Sequence, residues 1–455
     1  MQSPAQLAAK INQNRAVSII RKPGVIITLF VVFSLVMGGI AIAHTPVGGT
    51  PDVWSHIYRI NSIYHGDLMA HRVDAVSQFD QISSENYGGT VDWDIINLSL
   101  KYPGITGVSV PDVSSITVSN QYTADIPFNN TAVYSPVPYV PYLITFAICR
   151  AVPALDSALT IFYALELVTL VVFIALMSLS LALLPRFRIA VALIYFFFFF
   201  VMGRYQGIII PICTGCDLMT CTFAALLGSL LLRYYFRYPT RRGFFYITVC
   251  AGVLALSKFS YAPLMFTPFL LLFAHRRIKK SLSLFVVAAA SLVLLVLWVS
   301  YGANFASNPT FVTYAMIQAR SAALQADPLP FLQKLFTTVM SFRTYEGQFS
   351  FQEAACVFLA WVGPFVMIIL SLTLGFKKKM PWRRVVFWLG IAILMLMTLF
   401  LIYLAMYLQY DPVGTLIIFG VQVRYYLPLT PFLAMGVLEG IRIATDKSRA
   451  TVLPV

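Results

Sequence analysis

The chain has 455 residues, of which 59% are hydrophobic, 15% aromatic and only 11% charged. Roughly a quarter of the residues in soluble domains are charged, so this composition excludes a water-soluble enzyme and a disordered chain. Six cysteines are too few for a disulfide-stapled secreted module. The formal net charge of +14 comes from short basic clusters that lie between long apolar segments. That arrangement indicates a polytopic membrane protein and no nucleic-acid partner.

A membrane-spanning helix needs about 20 apolar residues, and the first such segment covers residues 25–43, after four basic residues. A cleavable signal peptide is the alternative there, because residues 41–43 resemble a cleavage site, but the segment is longer than a usual signal core. Further long apolar segments lie at 157–184, 189–211, 218–236, 244–257, 260–274, 281–300, 354–375, 385–409 and 425–441. We therefore predict an all-α polytopic membrane protein with about ten transmembrane helices.

The basic clusters set the predicted orientation. If the N-terminus is cytoplasmic and the spans alternate, every basic loop falls inside, as the positive-inside bias requires. These loops cover residues 185–188, 237–242, 275–280 and 377–384. One long kinked helix over 244–274 is an alternative, but it would place its two flanking basic loops on opposite sides. We predict a multi-pass protein of the plasma (cytoplasmic) membrane with both termini in the cytoplasm.

The first predicted extracytoplasmic loop is long and acidic. Its ten carboxylates and four basic residues give it a net charge of −6, and loops of this length are usually functional. The short apolar stretch 137–152 within it is predicted to lie as a helix at the outer interface. In chain order the prediction is a cytoplasmic N-terminus (1–23), the first transmembrane helix (24–43), the first extracytoplasmic loop with interfacial helices (44–156), helices two to seven (157–300), a second extracytoplasmic loop (301–353), helices eight to ten (354–441) and a cytoplasmic tail (442–455).

The first candidate site lies just after the first span. Thr50 suits an N-cap and Pro51 suits the first position of a helix. Asp52, His56 and Arg59 would then lie at i, i+4 and i+7, on one face of that helix. An acid, an imidazole and a guanidinium at the membrane surface suit general-base chemistry beside a phosphate. The alternative is that Asp52 only favours the helix N-terminus electrostatically and that the other two side chains are solvated.

Four more charged residues lie near the predicted outer ends of spans, namely Arg204, Asp217, Lys258 and Arg424. Ionisable groups close to the hydrocarbon core are costly and usually functional. Three cations at one membrane face suit a lipid-linked phosphate, which arginine can clamp and lysine can neutralise. Snorkelling to the lipid headgroups is the alternative for each cation.

Two further motifs are less specific. A zinc site at Cys213 and Cys216 would need two more ligands, which the sequence does not obviously supply. A local disulfide and two free thiols both stay open. Sequons begin at Asn97 and Asn129, and they matter only in a secretory pathway. The sequence holds no phosphate-binding glycine-rich loop and no nucleotide-sugar domain.

Five motifs in chain order resemble the GT-C superfamily of polytopic glycosyltransferases, and within it a bacterial family of membrane proteins of unknown function. They are Pro51-Asp52-Val53-Trp54-Ser55-His56, the Tyr-Ser-Pro motif from Tyr134 to Tyr139 and Pro141, Asp217 after the third span, Lys258 before Tyr261-Ala262-Pro263, and Gly420-Val421-Gln422-Val423-Arg424-Tyr425. The resemblance runs across most of the chain. One position departs from it, because Val53 stands where the family has a second acid.

The resemblance implies an inverting glycosyltransferase that takes a sugar from a polyprenyl-phosphate-linked donor at the extracytoplasmic face. The acceptor would be a saccharide, a lipid or a wall polymer of the cell envelope. It implies Asp52 as the general base, with His56 and Asp217 as further catalytic residues and Asp217 or a loop carboxylate as the second acid. The lipid-phosphate contacts that it implies are Arg59, Arg204, Lys258, Arg424, Tyr425, Tyr134 and Tyr139. Some relatives use a divalent cation, and the sequence leaves that open.

Two other functions compete with this prediction. A transporter or flippase of lipid-linked saccharides is the main alternative. Transporters, however, tend to carry charges near the bilayer midplane and to show inverted repeats, whereas the charges here are predicted at the outer ends of spans. In a non-catalytic partner or a polysaccharide polymerase, the face bearing Asp52 would be a binding surface.

Overall fold

The computed structural model of the chain describes residues 23–76, 86–104, 110–116, 120–202, 204–205, 208–237, 240–275, 282–302, 312–341, 343–344, 347–348 and 351–445. The predicted cytoplasmic N-terminus, the basic segment 276–280 and most of the tail therefore lie outside the described residues. The structure is mostly helical. Its α-helices are α1 Pro23–His44, α2 Val53–Tyr64, α3 Trp93–Lys101, α4 Asn129–Ala132, α5 Val140–Ala151, α6 Ala158–Leu183, α7 Arg188–Phe196, α8 Cys216–Phe236, α9 Arg241–Ser257, α10 Thr267–Ala274, α11 Leu282–Gly302, α12 Tyr314–Ala326, α13 Leu329–Ser341, α14 Phe351–Phe376, α15 Trp382–Gln409 and α16 Thr430–Thr445.

Shorter elements join these helices. The 3-10 helices are Val113–Ser115, Val137–Tyr139, Ile210–Ile212, Phe259–Phe266, Val423–Tyr425 and Leu427–Leu429, and Phe197–Met202 is π-helical. The strands are β1 His71–Val73, β2 Asn86–Asp92, β3 Thr123–Pro127, β4 Arg204–Tyr205, β5 Ile208–Ile209, β6 Arg343–Thr344 and β7 Gly347–Gln348.

Six helical segments of the described chain are long and apolar enough to cross a membrane. They are Pro23–His44, Ala158–Leu183, Cys216–Phe236, Ala354–Phe376, Trp382–Gln409 and Val423–Thr445. An all-α membrane protein is thus confirmed, whereas the count of about ten spans is not. The apolar segment predicted at 189–211 is helical only as far as Met202 and then forms the β4–β5 hairpin, because Gly203, Arg204 and Gly207 interrupt its apolar run.

Small residues let the membrane helices pack closely around α8, which is buried along most of its length. Ser229 on α8 lies 2.7 Å from Ser180 on α6, Oγ to Oγ. The space beside Gly228 is filled by Pro431 and Met435 of α16. Within lipid, apolar helices gain little hydrophobic free energy by packing against each other, so such close contacts and interhelical hydrogen bonds hold them together.

The described residues of segment 44–156 fold over one end of this bundle. Its helix α2 packs on a three-stranded antiparallel sheet of order β1-β2-β3, with Gly88 opposite Pro127 and Val91 opposite Ala124. Ile57 of α2 shares a buried cluster with Val91 and other strand residues. The local sequence predicts only helices and loop here. Short strands rich in glycine and polar residues lack the alternation of apolar and polar residues by which a strand is recognised.

Two predicted loop segments are helical. Residues 140–151 form α5, as expected for the apolar stretch 137–152. The second loop, predicted over 301–353, contains α12 and α13. Arg320 of α12 donates hydrogen bonds to the carbonyls of Tyr407 and Asp411, at the C-terminal end of α15. Because the last carbonyls of a helix lack partners within it, this contact fixes the loop helices to the bundle.

A substitution at Gly38 tests the packing of α1 on α6. A Cβ atom at Gly38 would lie 2.3 Å from the Leu170 side chain, whereas one at the neighbouring Gly39 would meet no atom within 4 Å. We expect Gly38→Leu to lower the free energy of unfolding by about 1–3 kcal/mol through overpacking. Thermal unfolding in detergent measures this, with Gly39→Leu as the matched control. Equal melting temperatures for the two variants would contradict the α1–α6 contact.

Candidate active site

Four charged side chains meet in one cleft at the end of the bundle covered by segment 44–156. Nη2 of Arg424 lies 2.5 Å from Oδ2 of Asp52, and Nε of the same guanidinium lies 3.3 Å from Oδ2 of Asp217. Nζ of Lys258 lies 2.5 Å from Oδ1 of Asp217. Arg424 therefore bridges the two carboxylates, and Asp217 bridges the two cations. The four charges sum to zero, as buried charges require to be stable.

Each of these residues lies where a helix begins or ends. Asp52 immediately precedes α2, Asp217 is in the first turn of α8, Lys258 follows α9, and Arg424 lies in the 3-10 helix Val423–Tyr425. The sequence separates Asp52 and Arg424 by 372 positions. Charged side chains at helix ends can gather at the boundary of the bundle without placing an ion in the hydrocarbon core.

Asp52 has a left-handed backbone, with φ 54° and ψ 17°. The predicted helix start at Thr50 and Pro51 is therefore wrong, because α2 begins at Val53 with Asp52 in the N-cap position. The Asp52 side chain makes no capping hydrogen bond, and its carboxylate turns to Arg424 instead. Aspartate tolerates the left-handed region better than most residues, and such strained residues concentrate at functional sites.

The two oxygens of the Asp52 carboxylate have different partners. Oδ2 accepts from Arg424, while Oδ1 accepts a long 3.4 Å hydrogen bond from Nδ2 of Asn130. The side chain stays 29% exposed, against 6% for Arg424. Burial by itself raises the pKa of Asp52, but the adjacent guanidinium outweighs it and holds that pKa below its ordinary value of 3.8. Asp52 is thus ionised at neutral pH.

His56 lies one turn further along α2 and is buried. Its Nδ1 lies 2.8 Å from the hydroxyl of Tyr139, and its ring stacks on Tyr134 with centroids 6.2 Å apart. A Cβ atom at Gly215 would lie 2.6 Å from Cδ2 of the imidazole, so only glycine leaves room for the ring. Burial lowers the pKa of His56 from 6.5 to about 4, although Asp52 and Asp217 oppose this effect. His56 is therefore neutral at pH 7.

Aromatic rings cover the cationic side of the cleft. Nζ of Lys258 lies 4.1 Å from the ring centroid of Tyr425 and 5.8 Å from that of Tyr134. The hydroxyl of Tyr261 donates to the backbone carbonyl of Tyr425 at 2.6 Å and fixes its position. Cation–π contacts of this kind stabilise a partly desolvated ammonium group.

The cleft contains about 810 Å³ of empty space, part of it open to solvent. Sequence reasoning missed several residues that line it. Asn129, Asn130 and Thr131 were noted only as a sequon, and Gln409 and Tyr410 at the end of α15 were not singled out. Two polar residues that end a long apolar helix are the signal that could have identified the last pair. Ile402, Ala405 and Met406 of the same helix give the cleft an apolar wall.

The structure does not bring all the predicted site residues into this cleft. Arg59 is buried behind it, and its guanidinium donates to the backbone carbonyls of Asp67 and Leu68 at 3.0 and 2.7 Å. Tyr139 is buried beside the cleft, where its hydroxyl contacts Nδ1 of His56. Arg204 forms part of the β4–β5 hairpin, and its side chain lies outside the described residues. Seven of the predicted site residues do line the cleft, namely Asp52, His56, Asp217, Lys258, Arg424, Tyr134 and Tyr425.

The cysteines and the carboxylates bear on metal binding. Cys213 and Cys216 are buried thiols that form no disulfide with each other. Among the residues that the structure describes, no three histidine, cysteine or acidic side chains are grouped to hold a metal ion. Both cleft carboxylates pair with cations already. This donor set does not fit a resident divalent cation.

One protein-family model covers most of the chain. Residues 35–433 match the model of a family described as predicted membrane protein DUF2142, a domain of unknown function. The chain belongs to this family. Comparisons with curated proteins and with solved structures found no match. Membership agrees with the apolar helices of the bundle and with the resemblance to a family of membrane proteins of unknown function, and it assigns no activity.

The buried imidazole predicts a pH dependence of stability. Since the pKa of His56 is 6.5 in the unfolded chain and about 4 in the folded one, the unfolded chain binds more protons between these values. The free energy of unfolding should therefore fall as the pH drops through this window, by up to ~3 kcal/mol from this residue. Thermal unfolding from about pH 7 to about pH 4.5 measures the slope.

His56→Gln should flatten that slope while it keeps a hydrogen-bonding partner for Tyr139. His44→Gln is the matched control, because His44 is exposed on α1, and it should leave the slope as in the wild type. The prediction fails if the His56→Gln protein loses stability with falling pH as steeply as the wild type.

Proposed function

We propose that this protein is an inverting glycosyltransferase of the GT-C type, which moves a sugar from a polyprenyl-phosphate-linked donor to an acceptor hydroxyl at the extracytoplasmic membrane face. The observation that carries the proposal is the Asp52 carboxylate held beside Arg424 and Lys258 in one cleft. The resemblance of five ordered motifs to that superfamily supports it as well.

Asp52 has the properties of a general base for this reaction. Asp52 lines the cleft, its Oδ1 accepts a long hydrogen bond from Asn130, and its carboxylate is ionised at neutral pH. The acceptor oxygen would attack the anomeric carbon as its proton moves to Oδ1. The bond between that carbon and the phosphate oxygen breaks, and its electron pair leaves with the lipid phosphate. A single displacement of this kind inverts the anomeric centre.

Lys258 and Arg424 have the properties of a phosphate site. A polyprenyl-phosphate sugar carries one negative charge on its phosphodiester, and the departing lipid phosphate gains a second. Cations placed where negative charge develops stabilise the transition state more than the ground state. Asp217 pairs with both cations and so keeps them together in one cleft. Its pairing suits a positioning role better than that of a second base.

Binding of the donor would also change the pKa of Asp52. Arg424 holds the pKa of Asp52 low in the free protein. A phosphate that shares the guanidinium would weaken its hold on Asp52 and let that pKa rise toward its ordinary value. Asp52 would then become a stronger base only when the donor is in place, which limits reaction with water.

The apolar wall of the cleft suits the lipid part of the donor. Ile402, Ala405 and Met406 lie on α15, one of the candidate spans. A polyprenyl chain could follow this helix into the bilayer while its phosphate stays at Lys258 and Arg424. The cleft therefore offers separate surfaces for the acid–base step, the charged group and the chain.

The first test replaces the proposed base. Asp52→Asn keeps the side-chain shape and the tolerance for the left-handed backbone, but it cannot accept the proton. We expect sugar release to fall by a factor of about 100 or more, with donor binding retained. The assay follows radiolabelled sugar from a panel of polyprenyl-phosphate donors with purified protein in nanodiscs. Asp74→Asn, at an exposed position of the same segment, is the matched control.

The outcomes separate the functions. Loss of release in Asp52→Asn alone, with one donor, supports the transferase and identifies the sugar. Equal transfer by both variants would contradict the role of Asp52. Donor movement across the bilayer that Asp52→Asn leaves intact, without sugar release, would support the flippase instead.

The second test addresses the phosphate site. Lys258→Met removes the ammonium group and leaves a side chain of similar length beside Tyr425. We expect donor affinity to fall roughly tenfold or more, since a hydrogen bond to a charged group contributes about 1.5–3 kcal/mol. Binding of a polyprenyl-phosphate sugar is measured directly, with Lys101→Met as the exposed control. Unchanged affinity in Lys258→Met would exclude it as a phosphate contact.

A further inference from the structure

The loop helix α13 carries apolar residues on two opposite faces. One face is buried, with Phe331, Leu335 and Thr338 at most 9% exposed. The other face is an apolar stripe whose members are 43–67% exposed, namely Leu329, Leu332, Phe336 and Met340. The spacing of three and four residues places these four side chains in one row along the helix. We call this row the α13 stripe.

The buried face fixes α13 to the end of α15. The ring of Phe331 lies 5.5 Å from that of Phe400 and 5.0 Å from that of Tyr407, measured between centroids. Lys334 forms an ion pair with the buried Asp411, just beyond α15. The hydroxyl of Thr338 accepts a 2.8 Å hydrogen bond from the backbone N–H of Ile418. The stripe is therefore held in place and points away from the protein.

The position of these contacts along α15 indicates where α13 lies relative to the bilayer. The 28 residues of α15 are about 42 Å long at 1.5 Å per residue, which exceeds a hydrocarbon core of about 30 Å. Phe400 and Tyr407 fall in its last ~14 Å, at the same end as the cleft residues Met406 and Gln409. The 13 residues of α13 are too short to span a membrane.

The helix α13 packs against a candidate membrane span whose exposed side is itself apolar. Ile393, Met397 and Phe400 form an exposed apolar row on α15, and Phe400 contacts Phe331 on the buried face of α13. The loop after Asp411 adds two more exposed apolar side chains, Val413 and Leu416. A surface of this kind in water would be costly, because large exposed apolar patches are rare on soluble faces.

We propose that the α13 stripe is a membrane-interface surface, on which α13 lies in the boundary layer of the bilayer with Leu329, Leu332, Phe336 and Met340 among the acyl chains beside the cleft. The partner is the lipid of the bilayer leaflet on that side. Amphipathic helices that lie in the interface bury their apolar face to a shallow depth of about 5–10 Å. This inference does not depend on the proposed catalytic function.

Two neighbouring positions on α13 provide a matched test. Phe336 lies within the stripe, whereas the exposed Thr337 lies about 100° around the helix from it. Phe336→Cys and Thr337→Cys are each labelled with a polarity-sensitive fluorophore in the full-length protein. The six native cysteines are buried. Each labelled protein is placed as single copies in phosphatidylcholine–phosphatidylglycerol nanodiscs whose acyl chains carry bromine at a shallow or a deep position.

We expect shallow bromines to quench the label at position 336 several-fold more than the label at 337. Deep bromines should quench the label at 336 less than shallow ones do. Equal quenching of both labels by aqueous iodide, without bromine quenching, would overturn the proposal because the stripe would face water. Strongest quenching by deep bromines would also overturn it. A label at 336 that is shielded only when two copies share a disc would identify a second copy as the partner. Met340→Cys replaces Phe336→Cys if that variant fails to fold.

Discussion

The ion pair between Asp52 and Arg424 is the contact on which the rest of the site depends. It joins the segment after the first span to the start of the last candidate span. Arg424 is buried and pairs with both Asp52 and Asp217, so the position of segment 44–156 is linked to that of the last candidate span through this contact. The left-handed backbone at Asp52 shows the same coupling, because strain at one residue persists only where its surroundings hold it.

Asp217 extends that pair into a neutral network. By contacting both Lys258 and Arg424, it keeps two cations within one cleft although like charges repel. The neutral His56 adds no charge to this balance. The cleft therefore has no net positive charge before an anion binds. An incoming anion would replace existing ion pairs with new ones of its own. Such a network is preorganised, which favours electrostatic stabilisation of a developing negative charge.

Much of the architecture could be read from local sequence. The six candidate spans all fall on predicted apolar segments, and α5 falls on the stretch 137–152, because hydropathy and length are local properties. The site residues Asp52, Asp217, Lys258 and Arg424 were each identifiable as charges beside apolar segments, where ions are costly. The β1-β2-β3 sheet was missed, since its pairing joins residues such as Gly88 and Pro127 that no local pattern relates.

The sequence by itself therefore determined the membrane character of the chain, its helical segments and the list of charged residues near their ends. Only the tertiary structure decided which of those charges share a cleft. It brought Arg424 to Asp52, turned Arg59 toward the carbonyls of Asp67 and Leu68, and set Asn130 and Gln409 beside the site. The physical reason is that hydropathy fixes each helix separately, whereas the pairing of charges depends on contacts between helices distant in the chain.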